Sequence, residues 1–224
     1  EYWSRVRQIC DRYGLLLIAD EVMTGFGRTG RWFAVEHWNV VPDILVTAKG
    51  ASSGYFPLGL VLCNGQLAAQ ISHRIGIFTH GFTHANGVLG AAVGLAVLGY
   101  LQEHDLIAAS AELGARLLDR MGSLLALPPV GDVRGLGLMA GVELVKDKQS
   151  RQPYPRSAQV AERIQAACME RGLIVYYGTG VADGRDGDAI LVGPPFIVTG
   201  AQIDEIVNRL GAAIAEVTGS QPSA

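Results

Sequence analysis

The sequence predicts an α/β fold, on three observations. Two short apolar runs, Leu15-Leu16-Leu17-Ile18-Ala19 and Ile44-Leu45-Val46-Thr47-Ala48, have the length and composition of fully buried strands. Each stops at a single polar residue, Asp20 in the first case and Lys49 in the second. Segments with helical spacing alternate with these and later runs, the order expected when helices cover a largely parallel sheet.

The chain opens at Glu1-Tyr2-Trp3 on a helical pattern of Val6, Ile9, Cys10 and Tyr13, with Gly14 as its stop. An opening without methionine, directly into a helix, reads as the interior of a longer polypeptide. After the first strand come a glycine-rich loop, an aromatic stretch with Trp32, Phe33 and Trp38, the second strand, and a turn from Lys49 to Gly54. Leu60 to Cys63 is a third strand, followed by a helix near Leu67 to His73 and a polar loop ending about Asn86. Gly87 to Leu101 is uncharged but shorter than the roughly 20 residues of a membrane span, so it reads as a buried helix. Gly90 and Gly94 would permit close packing within it. Ile107 to Leu125 carries Leu113, Leu117, Leu118 and Met121 at helical spacing, and Pro128-Pro129 then breaks the chain. A domain change is expected in this region, and we divide the chain into residues 1–104 and 105–224.

Past the prolines, Val133 to Met139 and Gly141 to Val145 carry short strand signals, and the polar segment Lys146 to Pro155 is expected to be exposed. A helix from Ala158 to Arg171 is expected to end at Gly172, with strands near Leu173 to Tyr176 and Ala189 to Val192. A last helix follows Thr199, which makes a capping box with Gln202. The tail from Thr218 is small, polar and expected to fray.

Composition narrows the function. The 224 residues are 49% hydrophobic and carry a net charge of -3 without a basic cluster, which argues against nucleic acid or an anionic membrane as partner. Small-molecule chemistry is the better expectation. Cys10, Cys63 and Cys168 lack metal-ligand spacing and fit a reducing compartment, so a cytoplasmic location is expected and structural zinc is not. His80 and His84 have the spacing of a helical metal pair, but they sit on a glycine-containing loop with no acidic third ligand near. No metal is expected. Ser52 and Ser53 lack the Gly-x-Ser-x-Gly arrangement of a nucleophile loop and read as turn residues.

Asp20 and Lys49 stand out because open α/β sheets bind ligands at the carboxyl ends of their strands. Lys49 is also the only lysine before Lys146, so it does not belong to a lysine-rich surface. Gly25-Phe26-Gly27-Arg28-Thr29-Gly30 matches the Gly-x-Gly-x-x-Gly dinucleotide pattern and follows a strand. Asp20 and Glu21 would place carboxylates beside the pyrophosphate, however, and the loop runs into Arg31-Trp32-Phe33 rather than into a helix. These glycines read instead as a tight turn under a site.

The run from Leu17 to Gly30 through Asp20-Glu21-Val22-Met23-Thr24, followed by Pro42-Asp43-Ile44 and Lys49-Gly50, closely resembles the class III aminotransferases. The resemblance continues through Pro57-Leu58-Gly59, Gly81-Phe82-Thr83-His84, Arg134-Gly135-Leu136-Gly137, Pro194-Pro195 and the final helix. It implies a pyridoxal 5'-phosphate (PLP) dependent transferase fold of type I. Residues 1–104 would be the C-terminal part of the PLP-binding large domain, and 105–224 the small C-terminal α/β domain.

The resemblance also implies roles. Asp20 would bind the pyridine nitrogen and keep it protonated, so that the ring accepts an electron pair from the substrate's α carbon. Lys49 would form the Schiff base with the cofactor and later carry a proton as general base and acid. Val22 would pack on one ring face, and Thr83 would reach the phosphate held by the neighbouring subunit of a homodimer. The implied activity moves an amino group from an amine or ω-amino acid to a 2-oxo acid such as pyruvate or 2-oxoglutarate. An aminomutase or decarboxylase of the same fold, or a truncated non-catalytic remnant, are the alternatives. Family members carry a large preceding segment with the phosphate turn and a ring-stacking aromatic, so a C-terminal portion with exposed sheet edges is expected. Arg185, ahead of the Pro194-Pro195 step, lies near the place where many relatives pair an arginine with a substrate carboxylate; here it reads as a solvated loop charge.

Overall fold

A computed structural model describes residues 1–220. It comprises two compact units, Glu1–Ala108 and a second beginning at Ala109. Fraying is expected of the tail from Thr218, but Thr218 closes the last helix, Gly219 caps it in the left-handed conformation and the Ser220 amide donates to Ala215 O at 3.0 Å; the remainder of the tail lies outside the described residues.

In the first unit, α1 (Tyr2–Tyr13) ends where Gly14 adopts the left-handed conformation (φ 64°) that its sequence position predicts. Strands β1 (Ile18–Asp20) and β2 (Ile44–Thr47) pair in parallel, and β3 (Leu60–Cys63) adds antiparallel to β2. Helix α2 (Gly65–Ile75) begins at Asn64, whose side-chain oxygen accepts from the Leu67 amide at 2.8 Å. Helix α3 (Val88–Glu103) follows the loop.

Leu15 to Ala19 is not a fully buried strand. Pairing starts only at Ile18, and Ile18 is 58% exposed while Leu17 and Ala19 are buried. One face alone is covered, by Cys10 of α1 and by Val35 and Val40, against which Trp3 and Trp38 pack. Helix α3 is likewise buried along only one stripe. A Cβ on Gly94 would lie 3.0 Å from Leu58 Cδ2, and one on Gly90 would meet the Phe56 ring at 3.4 Å. Those glycines admit close packing as expected, yet Val88, Leu89, Leu95 and Tyr100 on the rest of the helix are exposed.

One carboxylate joins the elements of this unit. Asp43 Oδ2 accepts from the Leu17 amide at 2.8 Å and from Arg7 Nη1 at 2.9 Å, while Oδ1 accepts from Asn64 Nδ2 at 3.0 Å. Helix α1, the entries to β1 and β2, and the start of α2 are thereby tied at one point.

The second unit is an antiparallel sheet packed by helices. Its strands are β4 (Val130–Leu136), β5 (Met139–Asp147), β6 (Gln152–Pro153), β7 (Tyr176–Thr179) and β8 (Asp188–Val192); its helices are α4 (Leu106–Gly122, entering from the first unit), α5 (Val160–Glu170) and α6 (Gly200–Thr218). The order is β4-β5-β8-β7, with β6 pairing the outer part of β5. Leu117, Met121, Val142, Leu144, Ile164, Ile190, Ile203 and Leu210 are fully enclosed in one core. Burial there pushes the Cys168 thiol up to about 11, so it packs as an inert apolar side chain. The Thr199 and Gln202 capping box forms as predicted. Strand β7 begins three residues later than the spacing suggests, because Leu173 and Val175 turn into the core and ladder pairing starts at Tyr176 opposite Leu191. No helix among the described residues is long and apolar enough to cross a membrane.

Two stability tests follow from these contacts. The Leu17 amide and then the Arg7 guanidinium hold the Asp43 carboxyl below its ordinary range, against an opposing effect of burial. Its contribution is therefore present above the ordinary carboxylate value and lost as pH falls through the lowered one. Asp43→Ala should cost about 1–3 kcal/mol and flatten that acid dependence. All three tryptophans (Trp3, Trp32, Trp38) lie in the first unit, so urea unfolding followed by their fluorescence reads it. In the second unit, a Cβ on Gly114 would sit 2.2 Å from the Gly137 carbonyl carbon. Gly114→Ala should destabilise it by about 3 kcal/mol or more, measured by hydrogen exchange of the core amides.

Candidate active site

The parallel ladder pairs Ile18 with Ile44, Ala19 with Leu45 and Asp20 with Val46. Asp20 is thus the last residue of β1, and Lys49 follows the end of β2 after Ala48. Both side chains are exposed at the carboxyl edge of the same strand pair, the edge at which open α/β sheets take ligands. Asp20 Oδ1 accepts from the Val22 amide at 3.0 Å, which fixes the carboxylate over the turn and leaves Val22 half-buried beside it.

Lys49 starts a short 3-10 turn, Lys49–Ala51, with φ at +37°. A left-handed lysine is strained by roughly 1–3 kcal/mol, a cost that clusters at functional sites. Gly50 makes the turn possible, since a Cβ there would lie 3.0 Å from Phe26 Cβ. The Lys49 amine touches the Met23 sulfur.

The loop that bears Met23 is built on Glu21. This carboxylate is 2% exposed and accepts from the amides of Ala34 (3.0 Å) and Val35 (2.9 Å), and from the Thr24 hydroxyl. It therefore satisfies the first amides of the 3-10 helix Ala34–Trp38 from outside that helix. The glycine loop between is a series of turns, with Gly27 and Gly30 at positive φ and the Gly30 amide on Gly27 O at 2.9 Å. Gly25 has no room for a side chain, because a Cβ would approach Glu21 O to 2.8 Å and Thr47 Oγ1 to 3.2 Å. Burial lowers the proton affinity of the Arg28 guanidinium in the same loop.

Thr83 is exposed on the loop ahead of α3 and makes no hydrogen bond to Asp20 or Lys49. Its neighbours Phe82 and His84 line a cavity of about 760 Å³ bounded by Phe56, Leu58 and the glycine face of α3. His80 packs edge-on between Phe78 and Phe82. Ser52 is a buried turn residue whose hydroxyl donates to Phe56 O at 2.6 Å. In the second unit Arg185 is exposed, its amide bound to Asp183 Oδ1 at 2.9 Å. Sequence reasoning located Asp20, Val22 and Lys49 at one edge but missed Glu21 and Asp43. The available signal was an acidic residue embedded in an apolar stretch, next to Asp20 in one case and opening β2 in the other.

The profile of the family described as aminotransferase class-III matches residues 1–214. The chain belongs to the class III aminotransferases. To this class III chain, the aminotransferase YodT of Bacillus subtilis strain 168, itself uncharacterized, is 36% identical over 219 residues, 96% of this chain and 49% of the relative. A diaminobutyrate–2-oxoglutarate transaminase of Halomonas elongata is 38% identical over 221 residues, 97% of this chain and 46% of the relative. Among solved structures, an amine transaminase from an uncultivated Pseudomonas species, in its PLP-bound form, superposes with a TM-score of 0.88 at 39% identity. That match covers 96% of this chain and 48% of the other. The chain spans about half the length of the curated relatives it matches, and its mixed α/β architecture is that of part of a type I fold.

Glu21→Gln replaces one acceptor oxygen by a donor facing amides that already donate. The class III chain should lose about 1–3 kcal/mol, read as a lowered urea midpoint by tryptophan fluorescence.

Proposed function

We propose that this chain carries the cofactor-facing part of a PLP-dependent transaminase that moves an amino group from an amine or ω-amino acid to a 2-oxo acid such as pyruvate or 2-oxoglutarate. The observation that supports this most is the shared register of β1 and β2, which sets a carboxylate and a strained lysine at one carboxyl edge. The donor set fits PLP: an anion for a ring nitrogen, an amine for an aldehyde, and an apolar side chain, Val22, beside them. Bound there, PLP would supply the electron sink for the pair released at the substrate's α carbon. Asp20 would hold the proton on the ring nitrogen. Lys49 would hold the cofactor covalently until substrate arrives, then take the proton from the substrate carbon and return it. Thr83 would donate its hydroxyl to the phosphate of a neighbouring subunit's cofactor, which makes a homodimer the working assembly.

Borohydride reduction of the PLP-treated complete protein, followed by peptide mass spectrometry, should leave the pyridoxyl label on Lys49 and spare Lys146 and Lys148. A label on either of the other two lysines, or none at Lys49, would sink the assignment. Asp20→Asn should retain that label while amine transfer falls by roughly 100-fold or more, as expected when a charge needed in the transition state is removed.

A further inference from the structure

The loop from Gly180 to Gly187 joins β7 to β8 and is closed by its own hydrogen bonds. The Ala182 amide donates to Asp186 O at 3.1 Å, and the Arg185 and Asp186 amides donate to Asp183 Oδ1 at 2.9 and 2.8 Å. Two bonds tie the loop to the segment ahead of α5: the Gly187 amide to Tyr154 O at 3.1 Å, and the Arg156 amide to Asp186 Oδ1 at 2.9 Å.

Next to this junction lies a polar cluster around the buried Asp188, with unmet bonding capacity. Asp188 is 1% exposed, and its Oδ1 accepts only a long bond from the Ala161 amide at 3.4 Å. Asp188 Oδ2, Arg156 Nη1 and Glu162 Oε2 are each buried without a partner. Arg156 and Glu162 meet through their other atoms as an ion pair. The charged groups facing Asp188 are Arg156 and Glu162, before and within α5, and Asp186 on the loop; the Tyr154 phenol also feels its charge. The one guanidinium acting on Asp188 is already paired with Glu162, so Asp188 has the charges of Glu162 and Asp186 near it and no cation bonded to it. A buried carboxylate without enough donors is costly, whereas its acid form turns an orphaned acceptor into a donor.

We propose that Asp188, Glu162 and Arg156 form a proton-linked latch, in which one proton held by the cluster keeps the 180–187 loop clamped to the Tyr154–Arg156 segment and its loss frees the loop. Without the proton, three negative charges share one cation, and the repulsion falls on Asp186, the member that rides on the loop. Burial raises the proton affinity of Asp188, Glu162 and Asp186 add to it, and the Ala161 amide and Arg156 oppose it. For an acid whose native proton affinity is raised, the stabilisation is complete below the ordinary aspartate range and is lost as pH rises through the native value.

Amide hydrogen exchange of the 224-residue chain tests the latch at Val181, Ala182 and Gly187 after correction for intrinsic base catalysis. As pH rises from below the ordinary aspartate range through the raised native value, local opening should grow by about tenfold or more. Asp188→Asn, a neutral isostere, should abolish the rise. Glu162→Gln removes a charge that helps hold the proton, so its midpoint should move to lower pH. A wild-type chain whose loop amides open independently of pH overturns the latch, as does an Asp188→Asn chain that keeps the wild-type slope. Should that variant not fold, a Glu162→Gln midpoint that is unmoved or raised overturns it instead.

Discussion

The parallel pairing of β1 with β2 is the constraint on which the site of the first unit depends. Side chains in a strand alternate between faces, so a slip of one residue would move every one of them to the other face and carry Asp20 away from its position opposite Val46. A pair of such short strands has few ladder bonds with which to resist slipping. The register is held from both ends instead. Asp43 binds the Leu17 amide where the strands begin, and where they end the Glu21 amide donates to Val46 O at 2.8 Å while the Thr47 hydroxyl donates to Glu21 O at 3.3 Å.

These two anchors are acidic residues that do structural work next to residues proposed to do chemistry. Glu21 and Asp20 are adjacent in sequence yet opposite in circumstance: one is enclosed by amides and a hydroxyl, the other exposed at the edge. Strand alternation explains the difference, since consecutive residues leave the strand end on opposite sides. The buried member organises the glycine loop, and the loop carries Met23 to the Lys49 amine. Packing beneath the edge thus sets the surroundings of the exposed pair.

The second unit is stabilised differently. Its helices and sheet share one enclosed core, and Asp204 on α6 pairs with both Arg116 and Arg120 of α4 at 2.8 Å. Against that background Asp188 is an exception, a carboxyl group enclosed at the end of a sheet strand and flanked by the partly exposed pair Arg156 and Glu162. Polar groups with unmet partners rarely persist in a core without consequence, and here they adjoin the loop that bears Arg185.

Local features were legible in the chain alone. Gly14 and the Thr199 and Gln202 box depend on neighbours within a few residues and occur where the sequence puts them, and Asp20 and Lys49 follow the apolar runs that become β1 and β2. The family was legible too, because its motifs surround those strand ends and the profile spans residues 1–214. Only tertiary structure decided that Leu15, Leu16 and Ile18 lie exposed and that α3 buries only the stripe of Gly90, Gly94 and Leu101, since an apolar residue does not state which of its faces will be covered. It alone decided that Glu21 and Asp43 face inward. Their partners, Ala34, Val35, Arg7 and Asn64, are distant in sequence, and an acidic side chain is buried only where folding brings donors to meet it.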